Sequence, residues 1–160
     1  MTLDKNYIPE TKTFTNWADE DFANFMYENI MFSHPHHFGQ HFYAINFSLD
    51  DFLTNFIFFK IRKTLDEDIK PIRMFATIQH PGMEEVFHEN QGECTCVWML
   101  SKTLKEEGEL EIKDDQKYKF EFNKLISLSS YKQHRGLAPP DGARVTLVTQ
   151  FNSGVSYRPT

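Results

Sequence analysis

Four residues in this chain could do chemistry together: His88, Asn90, His134 and Arg144. Two histidines and one carboxylate form a facial triad that leaves three positions open on ferrous iron, the ligand set of non-haem oxygenases. On a strand, residues i and i+2 face the same side. His88 and residue 90 can therefore converge on one ion while Glu89 points away. His134 has to arrive from a distant strand. Arg144 opens a later strand and shares a face with Thr146. A guanidinium is a planar fork that matches a carboxylate, so this pair suits the far carboxylate of a dicarboxylate co-substrate. The position that calls for an acid holds Asn90. Three readings stay open there: Asn90 ligates through its carbonyl, Glu93 swings in as the carboxylate, or the site is catalytically silent.

These residues need strands to carry them, and the pattern after Pro71 supplies a period of two. Ile72, Met74, Ala76 and Ile78 alternate with Arg73, Phe75, Thr77 and Gln79, and Pro81-Gly82 ends that strand. Strands are expected at Cys94 to Leu100, Glu109 to Lys113, Tyr118 to Phe122, Leu125 to Leu128 and Arg144 to Phe151. Turns are expected at Glu106-Glu107-Gly108 and Ala138-Pro139-Pro140-Asp141-Gly142.

The first part of the chain reads differently. Residues 1–15 are polar and irregular. Asn16 or Asp19 can cap a helix over 18–31, where Phe22, Phe25, Met26 and Ile30 recur at helical spacing. Phe42 to Phe47 reads as a short strand. Ser48-Leu49-Asp50-Asp51 has a capping-box pattern opening a helix over 49–65. Four histidines, His34, His36, His37 and His41, fall within eight residues, but no acid or cysteine lies among them. Pro35 and Gly39 make that stretch a loop rather than a metal site. Helices followed by seven or eight short strands predict an α+β fold with a double-sheet jelly-roll body.

Length and composition bound the answer. A chain of 160 residues is one domain's worth, expected over 1–160 with a helical part at 1–70 and the jelly-roll core at 71–155. Sixteen phenylalanines give it a large aromatic payload. A net charge of -6 argues against a general nucleic-acid binder, which needs a basic face. No apolar run approaches the roughly 20 residues that span a bilayer, and Met1 to Lys5 lack the order of a signal peptide. Cys94 and Cys96 are too close for a good disulfide and too few for zinc. Reduced cysteines place the protein in the cytoplasm. The oligomeric state is not readable.

From Arg73 to Phe151 the chain resembles the prolyl-4-hydroxylase-like branch of the iron(II)/2-oxoglutarate dioxygenases. The resemblance rests on an ordered set: Gln79-His80-Pro81-Gly82, His88-Glu89-Asn90 in place of His-x-Asp, the strand Cys94 to Leu100, Gly108-Glu109-Leu110-Glu111-Ile112, His134 in Tyr131-Lys132-Gln133-His134-Arg135-Gly136, and Arg144-Val145-Thr146. It covers about half the chain. It implies Fe(II) held by His88, His134 and residue 90, with 2-oxoglutarate chelating the metal and pairing with Arg144 and Thr146. His80 stands where a co-substrate tyrosine is common and could donate to 2-oxoglutarate. Trp98 and Met99 stand where the family's next strand contacts the co-substrate, and Met99 is the expected contact. The implied reaction takes O2 and hydroxylates a C–H bond of a small molecule or peptide, peptidyl proline being one possibility. A binding protein that kept the fold and lost the chemistry is the alternative.

Overall fold

The computed structural model describes residues 10–35, 37–39, 41–102 and 109–153. Residues 1–9, His36 and the turn expected at 106–108 lie outside them. Among the described residues, two helices and ten strands form in the order β1 (Lys12–Phe14), α1 (Glu20–Met31), β2 (His37–Phe38), β3 (Tyr43–Phe47), α2 (Phe52–Leu65), β4 (Ile69–Gln79), β5 (Cys94–Met99), β6 (Leu110–Ile112), β7 (Lys117–Tyr118), β8 (Lys124–Ser129), β9 (His134–Gly136) and β10 (Arg144–Ser153). Seven strands make one sheet, ordered β1-β8-β5-β10-β4-β3-β2, and β7-β6-β9 make a second. Every pairing is antiparallel.

Both helices form where apolar spacing demands them, but their starts differ in chemistry. Asp19 caps α1: its Oδ1 accepts from the backbone N–H of Asp21 (3.0 Å) and Phe22 (3.2 Å). The capping box expected at Ser48 does not form. Ser48 Oγ accepts from Asp50 N instead (3.2 Å), closing a turn, and α2 starts at Phe52 behind Asp51, whose side chain makes no cap bond. The hydroxyl's local turn outcompetes the helix by three residues. Asp66 ends α2 in the left-handed conformation.

Two short strands were not legible, β1 in a polar stretch and β2 among the histidines, whereas β9 is the distant strand on which His134 was expected to arrive. The strand expected over Tyr118 to Phe122 is confined to Lys117–Tyr118. Beyond it Phe120 turns into a small core, and the N–H of Glu121 meets Met99 Sδ (3.3 Å). Pro71 is tolerated inside β4 because it lies at the bulged end, where β10 shifts register between Gln150 and Phe151 and β3 does not reach.

The alternation of β4, β5 and β10 sorts their side chains onto two faces. One face packs Met74, Ala76, Cys96, Trp98 and Leu147 against Met26 and Ile30 of α1 and Ile57 and Ile61 of α2. The other packs Val97 and Met99, with Ile126 and Leu128 of β8, against Leu110 and Ile112 of the small sheet. Asn123, buried and left-handed (φ 63°), ties the first face to the chain's start. Its Oδ1 accepts from Trp98 Nε1 (3.0 Å) and Ala18 N (3.2 Å), and its Nδ2 donates to Ala18 O (2.6 Å). The cavity described next opens on the second face.

Candidate active site

His88 and His134 come from segments 46 residues apart and meet as an isolated antiparallel bridge. Each backbone N–H bonds the other's carbonyl at 3.0 Å, which fixes the two rings with centroids 4.6 Å apart. Each ring is then oriented by its own turn. His88 Nδ1 donates to Val86 O (2.8 Å) and His134 Nδ1 to Lys132 O (2.9 Å). A carbonyl can only accept, so the proton of each neutral ring sits on Nδ1 and the Nε2 lone pair is left for another partner. This backbone orientation is the arrangement metal-ligating histidines use. Burial holds the His134 pKa down at about 4, the neighbouring His88 adding to the effect and the Lys132 carbonyl opposing it. His134 is therefore neutral and a competent ligand at pH 7.

Asn90 joins this pair. Its Nδ2 lies 3.0 Å from His134 Nε2 and 3.1 Å from Thr95 Oγ1, and Thr95 Oγ1 lies 2.7 Å from Ser130 Oγ. With Nδ1 committed as donor, His134 Nε2 must accept the amide N–H. The carbonyl of Asn90 is thus not the atom facing His134.

Arg144 sits at the opposite end of the same cavity, 4% exposed. Its Nη1 donates to Glu109 O (3.0 Å) and Leu137 O (2.8 Å), and its charge lies over the Phe120 ring (5.6 Å). Its Nε has no partner among the described residues. Glu85 acts on its charge, but the Glu85 carboxylate is taken by Gly136 N (2.7 Å), and no ion pair to Arg144 forms among the described residues. Burial pulls the guanidinium pKa down to about 10, Glu85 partly offsetting it. Gly136 is required here: a Cβ would lie 1.6 Å from Arg144 Nη2. Gln79 Nε2 clamps the Gly136 carbonyl (3.0 Å). Thr146 faces Thr77 across the strand pair, hydroxyl to hydroxyl at 2.5 Å. The cavity joining these ends has a volume of about 300 Å³, at the small end of ligand pockets, which run roughly 300–1,000 Å³.

Of the residues singled out in the sequence, His88, Asn90, His134, Arg144 and Thr146 all line this cavity. His80 and Met99 do not. His80 is exposed beyond the end of β4, its ring 5.7 Å from Tyr43. The Pro81-Gly82 turn that follows, with Gly82 at φ 86°, carries the chain away. Met99 faces the cavity side of its strand but is held in the small core by Phe120 and Leu110. Glu93 is fully buried and outside the lining, its backbone tied to Phe151 and Ser130. Gln79, Glu85, Gly136, His41 and Gln150 were not found from the sequence. For Gln150 a signal existed: it continues the every-second-residue series Arg144, Thr146, Val148 on β10.

No family model matches the chain, and no curated protein sequence matches it. Solved structures do. A viral collagen prolyl hydroxylase from Paramecium bursaria Chlorella virus-1, in complex with 2-oxoglutarate, superposes with a TM-score of 0.76 at 12% identity, covering 94% of this chain and 98% of that one. This is the fold of the prolyl 4-hydroxylases and 2-oxoglutarate-Fe(II) oxygenases. A prolyl hydroxylase from Trichoplax adhaerens, bound to a hypoxia inducible factor peptide fragment, gives a TM-score of 0.67 at 10% identity over 91% of this chain and 84% of that one. HygX from Streptomyces hygroscopicus, with nickel and 2-oxoglutarate bound, gives 0.71 at 5% identity over 88% and 82%.

An iron site on this oxygenase fold asks for two imidazoles and an anion. The two Nε2 atoms fit. The anion does not: residue 90 is a neutral amide, and among the described residues no three of His, Cys, Asp and Glu gather where a metal could be held. The dicarboxylate end of the oxygenase fold fits better, because a buried guanidinium without an acidic partner is completed by an entering carboxylate. No helix among the described residues is long and apolar enough to cross a membrane.

Proposed function

We propose that the chain is an iron- and 2-oxoglutarate-dependent oxygenase on a double-stranded β-helix body, one domain over 1–160. Arg144 and Thr146 bind the far carboxylate of 2-oxoglutarate. His88 and His134 would hold Fe(II), and the Asn90 amide would take the third protein position only after turning its oxygen toward the metal, since its Nδ2 now meets His134 Nε2. The observation that carries this reading is Arg144, a buried cation with an unpartnered Nε at the end of a cavity whose other end presents two oriented imidazoles. Leaving a charge buried and unpaired costs several kcal/mol, and a carboxylate ligand removes that cost. Bound iron would supply activation of O2 coupled to the oxidative decarboxylation of 2-oxoglutarate to succinate and CO2. The protein's own part is to fix the diacid at Arg144, keep His134 neutral, and exclude water with Phe75, Val97 and Val148. The substrate is a small molecule or peptide, and the buried, unbridged thiols of Cys94 and Cys96 accord with a cytoplasmic setting.

One hydrogen bond favours a second reading, a dicarboxylate-binding protein without turnover. Asn90 Nδ2 already occupies the His134 lone pair. For Asn90 to ligate, its amide must turn over, and Thr95 must change from accepting its N–H to donating to its oxygen. Even a changed partner one step removed from a metal costs about 10–100-fold in affinity or activity. Anaerobic Fe(II) titration and succinate release, in the natural chain and in Asn90→Asp, decide between the readings. Iron binding and succinate release by the natural chain support the oxygenase. Gain of both only in Asn90→Asp supports the silent binder. Neither, in either protein, retires iron chemistry.

A further inference from the structure

Outside the cavity, the outer face of the two helices is a surface that the oxygenase reading leaves unused. Their inner faces are buried on the sheet, through Ala23, Met26 and Ile30 of α1 and Thr54, Ile57, Phe58 and Ile61 of α2. The outward side of such a helix is ordinarily polar. Here it is aromatic. Asp21, Phe25, Glu28 and Phe32 follow one another along the exposed side of α1 and its C-cap, and Phe52, Phe56, Phe59 and Lys63 along that of α2. Phe32 and Phe52 are each 86% exposed, and Phe25, Phe56 and Phe59 41–52%. Phe22 joins the two rows, stacked on Phe25 (6.5 Å) and edge-on to Phe56 (5.4 Å). The five rings leave about three phenylalanines' worth of surface in water, on the order of 500–700 Å². The largest apolar patch of a monomer is about 300–600 Å², and one side of a standard protein interface is about 800 Å².

Spacing and charge say what covers it. Both rows advance by four, three and four residues, the 3.5-residue repeat of a seam between paired helices. Helix α1 carries Glu20, Asp21 and Glu28 and no basic residue, whereas α2 carries Lys60, Arg62 and Lys63 and no acidic one. Within one chain the helices run antiparallel. Trp17, just before α1, donates to Thr64 near the end of α2 (2.8 Å), while Phe22 meets Phe56 a turn and a half further in. A two-fold axis along the helices lays α1 of one copy on α2 of the other, again antiparallel. The two rows then match end to end. Asp21 meets the partner's Lys63, Phe25 the partner's Phe59 and Phe32 the partner's Phe52, with Glu28 opposite the partner's Phe56 as the one unlike position. Two-fold symmetry makes each of these contacts twice. The other face-to-face two-fold lays α1 on α1 and sets acid against acid, which costs free energy.

We propose that the outer face of α1 and α2 is a self-association surface, on which a second copy of this chain docks as an isologous two-fold dimer with α1 on the partner's α2. A membrane surface suits the face less well, because Asp21 and Glu28 stand among the aromatic rings and anionic headgroups repel them. The cavity opens on the opposite face of the large sheet, so the dimer leaves its mouth free. The inference stands whether or not His88 and His134 hold a metal.

The test is sedimentation equilibrium of the full chain from about 1 to 200 µM, a window set by the micromolar or tighter Kd that interfaces of this size reach. The natural chain should show a monomer–dimer equilibrium. Phe32→Glu and Phe52→Glu each put a carboxylate into the seam from both copies and should weaken association at least about 100-fold. Both sites are exposed, so the far-ultraviolet spectrum of each variant should match that of the natural chain. Asp21→Lys or Lys63→Glu alone should weaken the dimer about tenfold. The two together should restore it, because an acid and a base again face each other across the axis. A chain that stays monomeric over the whole range overturns the proposal. So does a dimer indifferent to both phenylalanine variants, or a double charge swap that fails to restore association. A monomer that pellets with phosphatidylserine vesicles gives the face to a membrane and overturns it equally.

Discussion

Strands β4, β5 and β10 present two faces from one backbone, and the two are furnished differently. On the helix side lie Ala76, Cys96, Trp98, Val145, Leu147 and Phe151, all buried and close-packed. On the cavity side lie Gln79, Arg144 and Gln150, each buried with a polar atom that has no partner among the described residues. The helix side of these strands carries one such atom, Thr149 Oγ1, which lies against the Cys96 thiol. The contrast teaches where stability is made and where it is given up. Unsatisfied buried polar atoms are tolerated where a ligand completes them.

The sharpest way to break this contrast is at Trp98. Its ring is 1% exposed, stacks on Phe22 (5.8 Å), meets Trp17 edge-on (5.0 Å) and donates to Asn123. Trp98→Ala should cost about 3–5 kcal/mol, read from the urea midpoint. Val97→Ala, one residue away on the cavity face, should cost much less, because its methyls already border open space. Equal costs would remove the asymmetry.

The next effect is an acid-side loss belonging to the cavity face. The folded pKa of His134 is depressed to about 4, against 6.5 when unfolded. The unfolded chain therefore binds the proton first as pH falls. This group's contribution is intact above pH 6.5, drains away between 6.5 and 4, and is gone below, a change of about 3 kcal/mol. Urea midpoints from pH 7 to 4 should fall less steeply in His134→Gln. The same slope in both proteins would mean that His134 is not buried neutral.

The helix face was easy to read and the cavity face was not, for a physical reason. Apolar periodicity marks α1, α2, β4, β5 and β10 because burial of those residues is what forms them. β1 and β9 carry polar sequences and exist only because β8 and β6 offer them ladders. The spacing of His88, His134 and Arg144 survives as legible because each lies on a strand or bridge, and Asn90, two residues past the His88 bridge, is held by its backbone N–H on Ser130 O. His80 and Met99 were expected at the cavity by resemblance alone, and local packing sends them elsewhere. Gly136 left no pattern at all, since its role is to be absent from the space Arg144 fills.

Arg144→Met sharpens the comparison with a small stability effect and a large binding one. Removing an unpaired buried charge gains free energy. It also strands the carbonyls of Glu109 and Leu137, which accept from Nη1, at about 1–3 kcal/mol. The two terms oppose each other, so the net change should stay within about 1 kcal/mol. Calorimetry should meanwhile show no 2-oxoglutarate binding. A fall of several kcal/mol would make Arg144 a structural residue.

The smallest effect is a reaction that should hardly occur. Cys94 and Cys96 lie on the helix face, at most 1% exposed, and burial pushes both thiols up, Cys96 to about 12. A thiol reagent at pH 8 then reacts only through molecules that have opened globally, so the labelling rate reads global stability from that face. The rate should rise about 10²–10⁴-fold in Trp98→Ala, matching its lost stability. In Arg144→Met it should change less than about tenfold, because the charge removed there never supported the core. If Arg144→Met labels as fast as Trp98→Ala, the two faces are one cooperative unit in the sense that matters, and the cavity face carries stability after all.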